Sequence, residues 1–294
     1  MNTNNKLPFP PLYSGKVRDL YRLSDKEILM VASDRISAFD YILPTPIPDK
    51  GKILTQLSVF WFRKLEKITP NHLLASDFAS FPANLQPFQE YLAGRSLIVK
   101  EVKKIKIEAV VRGYLAGSGW EEYQAKGTVG RIPLPNKLEI SSRLPEPLFT
   151  PATKEEIGRH DRNITFAECE QIAGPETARH LKEKSIALYQ AAAEYALRKG
   201  VIIADIKFEF GFDDQGEIIL IDEIFTPDSS RFWEKEKYRP GREPDSLDKQ
   251  YVRNYLLGIG WDKNPPVPEL PAEVVANTRE KYQQIYEIIT GNRI

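Results

Sequence analysis

The chain lacks the features that mark several large classes of protein. Its 294 residues include a single cysteine, Cys169, so no disulfide can form within it. It contains no run of about 18 apolar residues, and its N-terminal sequence has no apolar segment of the signal-peptide type. These absences predict a cytoplasmic protein that neither crosses a membrane nor is exported.

An excess of charge of one sign is also lacking. Lysine and arginine together number 41, and so do aspartate and glutamate, so the formal net charge is zero. A chain without a net field is not drawn as a whole to nucleic acid or to a membrane surface. The three histidines lie far apart without the spacing of zinc ligands, which argues against a zinc site or a histidine-centred triad. We therefore expect small-molecule partners, no nucleic acid and a monomer.

Charged and apolar residues alternate strictly over residues 204–210, as they do in a strand with two different faces. Asp205, Lys207 and Glu209 share one face, and the apolar residues between them share the other. For an isolated hairpin, the ordinary interpretation is a solvated face whose charges pair across strands. The alternative is a ligand site.

A polar turn at residues 213–216 joins this strand to a second β-rich run at 217–224, which predicts an antiparallel hairpin. A symmetric turn places Lys207 opposite Asp222, with Glu209 one diagonal step from Asp222 on the same face. Two carboxylates and an ammonium would then converge, as in a site for Mg²⁺ and a phosphorylated substrate.

This register decides which carboxylate reaches the site. A shift of one residue would turn Asp222 to the opposite face and bring up Glu223 instead. The hydroxyl-rich turn at residues 226–231, which ends in Arg231, follows the second strand directly and offers donors for phosphate.

Two glycine-containing stretches also suggest contact with anions. Gly15 lies in a predicted strand, turn and strand, where Lys16 and Arg18 alternate onto one side, so the turn is either a phosphate cover or a plain hairpin. Farther along, Arg112 ends a predicted strand and is followed by three glycines, Ser118 and helix-forming residues. Exposed amides at a helix start, together with Arg112 and Ser118, indicate an anion site.

The rest of the chain predicts a mixture of helices and strands in two domains. Apolar residues at helical spacing mark a helix at 52–68, and Lys103 with Lys104 marks a bend between the strands 96–102 and 105–112. We therefore place the domain boundary between residues 1–103 and 104–294, with a ligand cleft between the domains. Further helices are predicted at 175–200, 246–257 and 271–290.

Several of these segments together are similar to a known family. The motifs SGKVRDLY, SDRISAFD, VVRGYLAGSGWEEY, PLFTPATK, IIADIKFEFG and DEIFTPDSSRFW, in this order, closely resemble the SAICAR synthetases (phosphoribosylaminoimidazole-succinocarboxamide synthases) in their longer, yeast-type form. The resemblance extends over about residues 12–286.

The resemblance implies an α+β fold with two lobes. A small N-terminal antiparallel sheet, like the nucleotide-covering lobe of kinases, would lie over a larger ATP-grasp-like α+β domain with C-terminal helices. It also implies an ATP- and Mg²⁺-dependent ligase of purine biosynthesis. The enzyme would join the carboxylate of carboxyaminoimidazole ribonucleotide (CAIR) to the amine of L-aspartate, through an acyl phosphate, giving SAICAR, ADP and phosphate.

The resemblance also implies roles for individual residues. Residues expected to bind ATP are Gly15, Lys16, Val17 and Arg18 over the phosphates and Lys100, Glu101 and Val102 beside adenine. Glu209 and Asp222 would hold Mg²⁺ and thereby ATP. Residues expected at the CAIR site are Asp34, Arg112, Ser118 and Arg231, with Asp205 and Lys207 as catalytic groups near the reacting carboxylate. The alternatives are a small-molecule kinase, which needs no aspartate, and a nucleotide-binding module without turnover.

Overall fold

The computed structural model describes Leu7 and residues 9–153 and 162–294. Its first part contains, in chain order, β1 (Tyr13–Ser14), β2 (Arg18–Arg22), β3 (Glu27–Ala32), β4 (Ser37–Ala38), β5 (Tyr41–Ile42), α1 (Lys50–Leu65), β6 (Leu73–Ala75), short 3-10 helices at Phe78–Ser80 and Ala83–Phe88, α2 (Gln89–Leu92), β7 (Ser96–Lys100) and β8 (Lys103–Lys104). The second part contains β9 (Ile107–Tyr114), α3 (Gly117–Lys126), β10 (Thr128–Val129), β11 (Ile132–Pro133), β12 (Arg143–Phe149), β13 (Ala152–Thr153), α4 (Phe166–Ala173), α5 (Pro175–Arg198), β14 (Val201–Phe212), β15 (Ile218–Ile221), β16 (Ser230–Glu234), α6 (Gln250–Gly258) and α7 (Ala272–Thr290). This composition confirms the α+β prediction. Within the described ranges, no helix is long and apolar enough to cross a membrane.

The first sheet has five antiparallel strands in the order β1-β2-β3-β7-β6. Its central strand β3 is a nearly continuous apolar run because both faces are covered. Leu29 and Val31 pack toward the short helices at residues 78–92, and Ile28 and Met30 face Val59 of α1.

The second sheet is built around the twelve-residue strand β14, which pairs antiparallel with β8, β9, β15 and β16. Ile206, Phe208 and Phe210 are fully buried, as the alternation predicts, in a core that also contains residues of α1, α5 and α7. The opposite face of β14 carries Asp205 and Lys207. The strand therefore separates a dry core from a polar face.

The hairpin between β14 and β15 forms, but the predicted register is wrong by one residue. Glu209 pairs with Ile221, so Lys207 does not lie opposite Asp222. β15 ends at Ile221, and Asp222 has a positive φ of 67°, so its backbone leaves the sheet there. The position of Asp222 is therefore set by the chain after the strand.

The register shifts because the turn is longer than predicted, covering residues 213–217 between the paired strand ends. The carboxylate of Asp213 accepts hydrogen bonds from the backbone N–H groups of Gln215 and Glu217, at 2.9 and 3.0 Å. The Asp213 N–H donates to the Glu217 carbonyl at 3.0 Å and closes the loop. A side chain that bonds its own turn thus adds one residue to the loop.

The ends of the helices follow the local sequence signals. Thr165 and Glu168 form the reciprocal hydrogen bonds of a capping box at the start of α4. Pro175 occupies the first turn of α5, and Gly291 ends α7 with a φ of 78°. These signals confirm the two long helices predicted from the sequence.

The division of the chain into residues 1–103 and 104–294 stays a prediction. The two sheets do fall on either side of this boundary. However, β8 spans it and pairs with β14, and Ile53, Leu57 and Trp61 of α1 belong to the core beneath the second sheet.

Candidate active site

Two cavities contain most of the predicted site residues. The first, of about 230 Å³, is called here the arginine cavity, and five predicted site residues line it: Arg112, Ser118, Asp205, Lys207 and Arg231. The second, of about 170 Å³, is called the hinge cavity, and four predicted residues line it: Lys100, Glu101, Val102 and Asp222. The structure thus brings nine of the predicted residues together in two groups, while Gly15, Lys16, Val17, Arg18, Asp34 and Glu209 line neither cavity.

Asp205 is the centre of the arginine cavity because β14 lies between β9 and β16. Its backbone pairs with Arg112 on one side and with Arg231 on the other. A single carboxylate oxygen of Asp205 accepts from both guanidinium groups, at 3.4 Å from Arg112 and in a shorter contact with Arg231. All three side chains are largely buried. Two cations that share one anion leave an excess of positive charge, which suits an anionic ligand.

Further contacts fix the orientation of the Arg112 side chain. Its Nε donates to Thr150 Oγ1 at 3.0 Å, and its Nη2 donates to Ser118 Oγ at 3.1 Å. Burial lowers the pKa of Arg112 despite the charge of Asp205. For Arg231, burial also acts to lower the pKa, but the carboxylates of Asp205 and Asp248 together offset burial, so the pKa is raised. Both guanidinium groups remain ionised in proteins.

The glycines at the start of α3 make room for these guanidinium groups. A Cβ atom on Gly117 would lie 2.1 Å from Arg231 Nη2, and one on Gly119 would lie 3.2 Å from Arg112 Cδ. Gly117 also has a φ of 50°, which disfavours other residues. The predicted glycine stretch therefore serves close packing around the arginines.

Among the residues of the arginine cavity that sequence reasoning missed are Arg253 and Glu108. Arg253 of α6 adds a third guanidinium group, whose pKa is lowered by burial and then by Arg231. Glu108 of β9 is buried and forms an ion pair with Lys207. Glu108 lies four residues before Arg112 in the same strand and therefore on the same side, which is a signal that the sequence contains. Nothing in the sequence of α6 distinguished Arg253 from other charged residues on a helix.

The hinge cavity lies between the two sheets and has an apolar lining supplied by Leu12, Leu20, Ile28, Met30 and Val99. The segment 100–102 that connects the sheets forms another part of its wall. Glu101 is held by two hydrogen bonds from Arg22, at 2.5 and 2.6 Å. A flat, mostly apolar ring system would fit between these walls, which is the usual chemistry of an adenine site.

Arg18 connects the glycine turn to the carboxylates beside the hinge cavity. Its guanidinium group contacts both Asp222 and the neighbouring Glu223. Burial lowers the pKa of Arg18, but the two carboxylates more than offset this effect, so the pKa is raised. Two carboxylates therefore converge on one cation, and oxygen ligands of this kind also suit Mg²⁺.

The other predicted metal ligand, Glu209, lies opposite Ile221, the residue just before Asp222. Among the residues that the structure describes, no group of three or more His, Cys, Asp or Glu side chains is arranged to hold a metal ion. A site made of two or three carboxylates would thus need ligands from a bound nucleotide, as Mg²⁺ sites often do.

The backbone of the glycine turn is fixed by hydrogen bonds from Arg35. The guanidinium group of Arg35 donates to the carbonyl groups of Gly15 and Lys16 at 3.1 Å each, and the Val17 carbonyl accepts from Ser33 Oγ at 2.8 Å. The Lys16 side chain pairs with Asp40 and is partly exposed. The ammonium group of Lys16 thus lies at the partly exposed tip of the turn.

Asp34 is placed differently from the other predicted substrate contacts. It forms two hydrogen bonds with Arg95, at 3.0 and 3.1 Å, and accepts the backbone N–H of Gly51 at 2.9 Å. These contacts fix the start of α1, and Asp34 is not among the residues that line either cavity. Its contact with substrate stays a prediction.

Comparisons with known proteins give one consistent result. The model of the SAICAR synthetase family matches residues 11–268. The phosphoribosylaminoimidazole-succinocarboxamide synthase of Methylobacillus flagellatus is 56% identical over 280 residues, covering 94% of this chain and 93% of the relative. That of Pasteurella multocida is 53% identical over 287 residues, covering 97% and 99%.

Solved structures agree with the sequence matches. The SAICAR synthase of Saccharomyces cerevisiae, complexed with SAICAR, has a TM-score of 0.89 at 41% identity and covers 99% of each chain. A SAICAR synthetase in complex with ADP has a TM-score of 0.70 at 28% identity, covering 96% of this chain and 98% of the other.

Proposed function

This chain belongs to the SAICAR synthetase family, and from that premise we propose which cavity binds each reactant. The chain is an ATP-dependent ligase that joins CAIR to L-aspartate in purine biosynthesis. This assignment selects the ligase over the kinase and the nucleotide-binding module considered from the sequence.

The arginine cavity binds CAIR through its phosphate and ribose side. The observation that carries this proposal is the pair of buried guanidinium groups that share the carboxylate of Asp205. A phosphate brings two negative charges and planar pairs of oxygens, which match the forked donors of arginine. Ser118, already bonded to Arg112, supplies a hydroxyl donor at the same place.

The hinge cavity binds the adenine of ATP, and the glycine turn covers the phosphates. Lys100, Glu101 and Val102 form the wall beside the base, and Lys16 and Arg18 bring positive charge to the phosphate side. The solved structure of a relative in complex with ADP supports nucleotide binding by this fold. The phosphates would then lie between the two cavities, next to the CAIR carboxylate.

Glu209 and Asp222, with Glu223 beside them, would hold Mg²⁺, which when bound neutralises charge on the transferring phosphoryl group. Arg18 pairs with both Asp222 and Glu223 and offsets one of their two negative charges. Contact of Arg18 with the ATP phosphates would leave oxygens of these carboxylates to Mg²⁺.

The reaction needs orientation and charge rather than a protein nucleophile. An oxygen of the CAIR carboxylate attacks the γ-phosphorus of ATP, ADP leaves, and the aspartate amine then displaces phosphate from the acyl phosphate. Lys207 stabilises negative charge at the reacting carboxylate, and Glu108 holds the Lys207 side chain. Asp205 keeps the two arginines oriented toward the CAIR phosphate.

The single cysteine agrees with a cytoplasmic location, since disulfides are rare there.

Replacement of Arg231 by lysine tests the CAIR assignment. Lysine keeps the charge but loses the planar fork, so the KM for CAIR should rise by about ten-fold or more while the KM for ATP stays within about two-fold. Arg198→Lys, on an exposed surface of α5, is the matched control. An equal rise of both KM values would mean that Arg231 does not bind CAIR specifically.

A further inference from the structure

The loop at residues 226–229 leads into Arg231, the second residue of β16, and it contains a buried carboxylate. Asp228 lies in this loop, and its side chain is 3% exposed. Tyr282 donates its hydroxyl to Asp228 Oδ1 at 2.8 Å, while Lys50 and Lys249 approach Oδ2 at 3.0 and 3.6 Å. These four residues are called here the Asp228 cluster.

The cluster joins elements that are distant in sequence. Lys50 begins α1, Lys249 precedes α6, and Tyr282 lies in the middle of α7. Tyr282 and Lys50 are completely buried. This loop is therefore fixed from two sides, by β14, whose Lys207 N–H donates to the Ser229 carbonyl at 3.0 Å, and by the elements that carry Lys50, Lys249 and Tyr282.

The pKa shifts of Asp228 and Tyr282 identify which of the two donates the hydrogen bond. Burial raises the pKa of Asp228, but Lys249 and Lys50 outweigh burial, so the pKa lies well below its usual range. Burial and the Asp228 charge raise the pKa of the Tyr282 hydroxyl well above its usual range. Tyr282 is thus a hydrogen-bond donor to an ionised carboxylate. It donates to Oδ1, whereas the two lysines approach Oδ2.

The helix that carries Tyr282 lies beyond residues 11–268, the part matched by the family model. Other polar contacts fix α7 to the same surroundings. Arg279 Nε donates to Asp49 at 3.0 Å, next to Lys50 in the chain. Asn277 donates to the Tyr251 hydroxyl at 3.0 Å, close to Lys249. α7 is therefore held against the elements that supply both lysines.

We propose that Tyr282 is a positioning residue for CAIR, which acts through Asp228 to set the loop that presents Arg231 to the substrate phosphate. This inference rests on the proposed binding of CAIR in the arginine cavity. It makes the C-terminal helix part of the substrate site, although none of its residues lines the cavity.

The test compares two tyrosines that each lose only a hydroxyl. Tyr282→Phe removes the donor to Asp228. Tyr195→Phe removes a hydrogen bond of 3.0 Å from α5 to the Ile289 carbonyl of α7, so it weakens the docking of the same helix without touching the loop. Thermal unfolding and the KM values for CAIR, ATP and aspartate are measured for both variants.

Tyr282→Phe should raise the KM for CAIR by about ten-fold, the scale of one hydrogen bond to a charged group, and should leave the KM for ATP within about two-fold. Tyr195→Phe should leave the KM for CAIR unchanged at a similar loss of melting temperature. In an Asp228→Asn background, the additional effect of Tyr282→Phe should fall below about two-fold, because its partner charge is gone.

Two results would overturn the inference, and they are distinguishable. If Arg231→Ala raises the KM for CAIR but Tyr282→Phe does not, the cavity assignment stands and the role of Tyr282 is wrong. If Arg231→Ala also leaves the KM for CAIR unchanged, the arginine cavity is not the CAIR site, and the role of Tyr282 fails with it.

Discussion

Replacement of Asp205 by asparagine changes the charge balance of the arginine cavity with little change in shape. The carboxylate is shared by Arg112 and Arg231, whose side chains are 6% and 19% exposed. Asparagine keeps one oxygen acceptor but leaves two guanidinium groups without a shared counter-ion. We expect this change to destabilise the unliganded protein.

The expected loss follows from the burial of the three groups. Removing one partner of a buried ion pair costs about 3–5 kcal/mol, because the remaining charge is left uncompensated. Arg112 keeps its hydrogen bonds to Thr150 and Ser118, and Arg231 is partly solvated. These two effects place the expected loss of unfolding free energy near the lower end of that range, at about 3 kcal/mol.

The assay is urea unfolding in chloride and in inorganic phosphate at equal ionic strength. Phosphate can supply the missing negative charge, so the difference between Asp205→Asn and the wild type should be smaller in phosphate than in chloride. The control is Glu194→Gln, which breaks an exposed pair with Arg198 and should have no measurable effect. A loss no larger than that of the control, or a difference that phosphate leaves unchanged, would refute the account of the cavity.

Two further predictions concern the hinge cavity. His72 lines this cavity, and burial lowers its pKa from 6.5 to about 4. The neutral form of His72 is therefore favoured in the folded state. Its contribution to the free energy of unfolding is complete above about pH 6.5 and is lost as the pH falls through about 4, by roughly 3 kcal/mol in all. His72→Gln should flatten this part of the curve of unfolding free energy against pH, and an unchanged slope would contradict the assignment. Asp222→Asn should lower turnover by roughly 100-fold or more and should weaken the dependence of turnover on Mg²⁺ concentration. The control Asp214→Asn, at an exposed residue, should change neither quantity. Normal activity of Asp222→Asn at limiting Mg²⁺ would exclude Asp222 as a ligand.

The sequence could predict what depends on local periodicity. Alternation over residues 204–210 correctly separates the buried Phe208 from the polar face that carries Asp205 and Lys207. Period-two alternation is a property of every strand, so it holds without knowledge of the partner strands. The capping box at Thr165 and Glu168 was equally accessible, because both of its hydrogen bonds are local.

The sequence could not predict what depends on a particular side-chain contact. The hairpin register fails because one carboxylate, that of Asp213, bonds two N–H groups of its own turn and lengthens it. Arg253 and Tyr282 reach the substrate region only through the packing of α6 and α7. Their contacts join residues far apart in the chain, which no local pattern records.

The central claim is that the chain activates the CAIR carboxylate with ATP before aspartate attacks. The most direct measurement follows oxygen from CAIR labelled with oxygen-18 in its carboxylate, in the presence of Mg²⁺, ATP and L-aspartate. The account predicts one labelled oxygen in each released phosphate, because the carboxylate oxygen that attacks phosphorus leaves with it. Unlabelled phosphate, formed together with SAICAR and ADP, would contradict it.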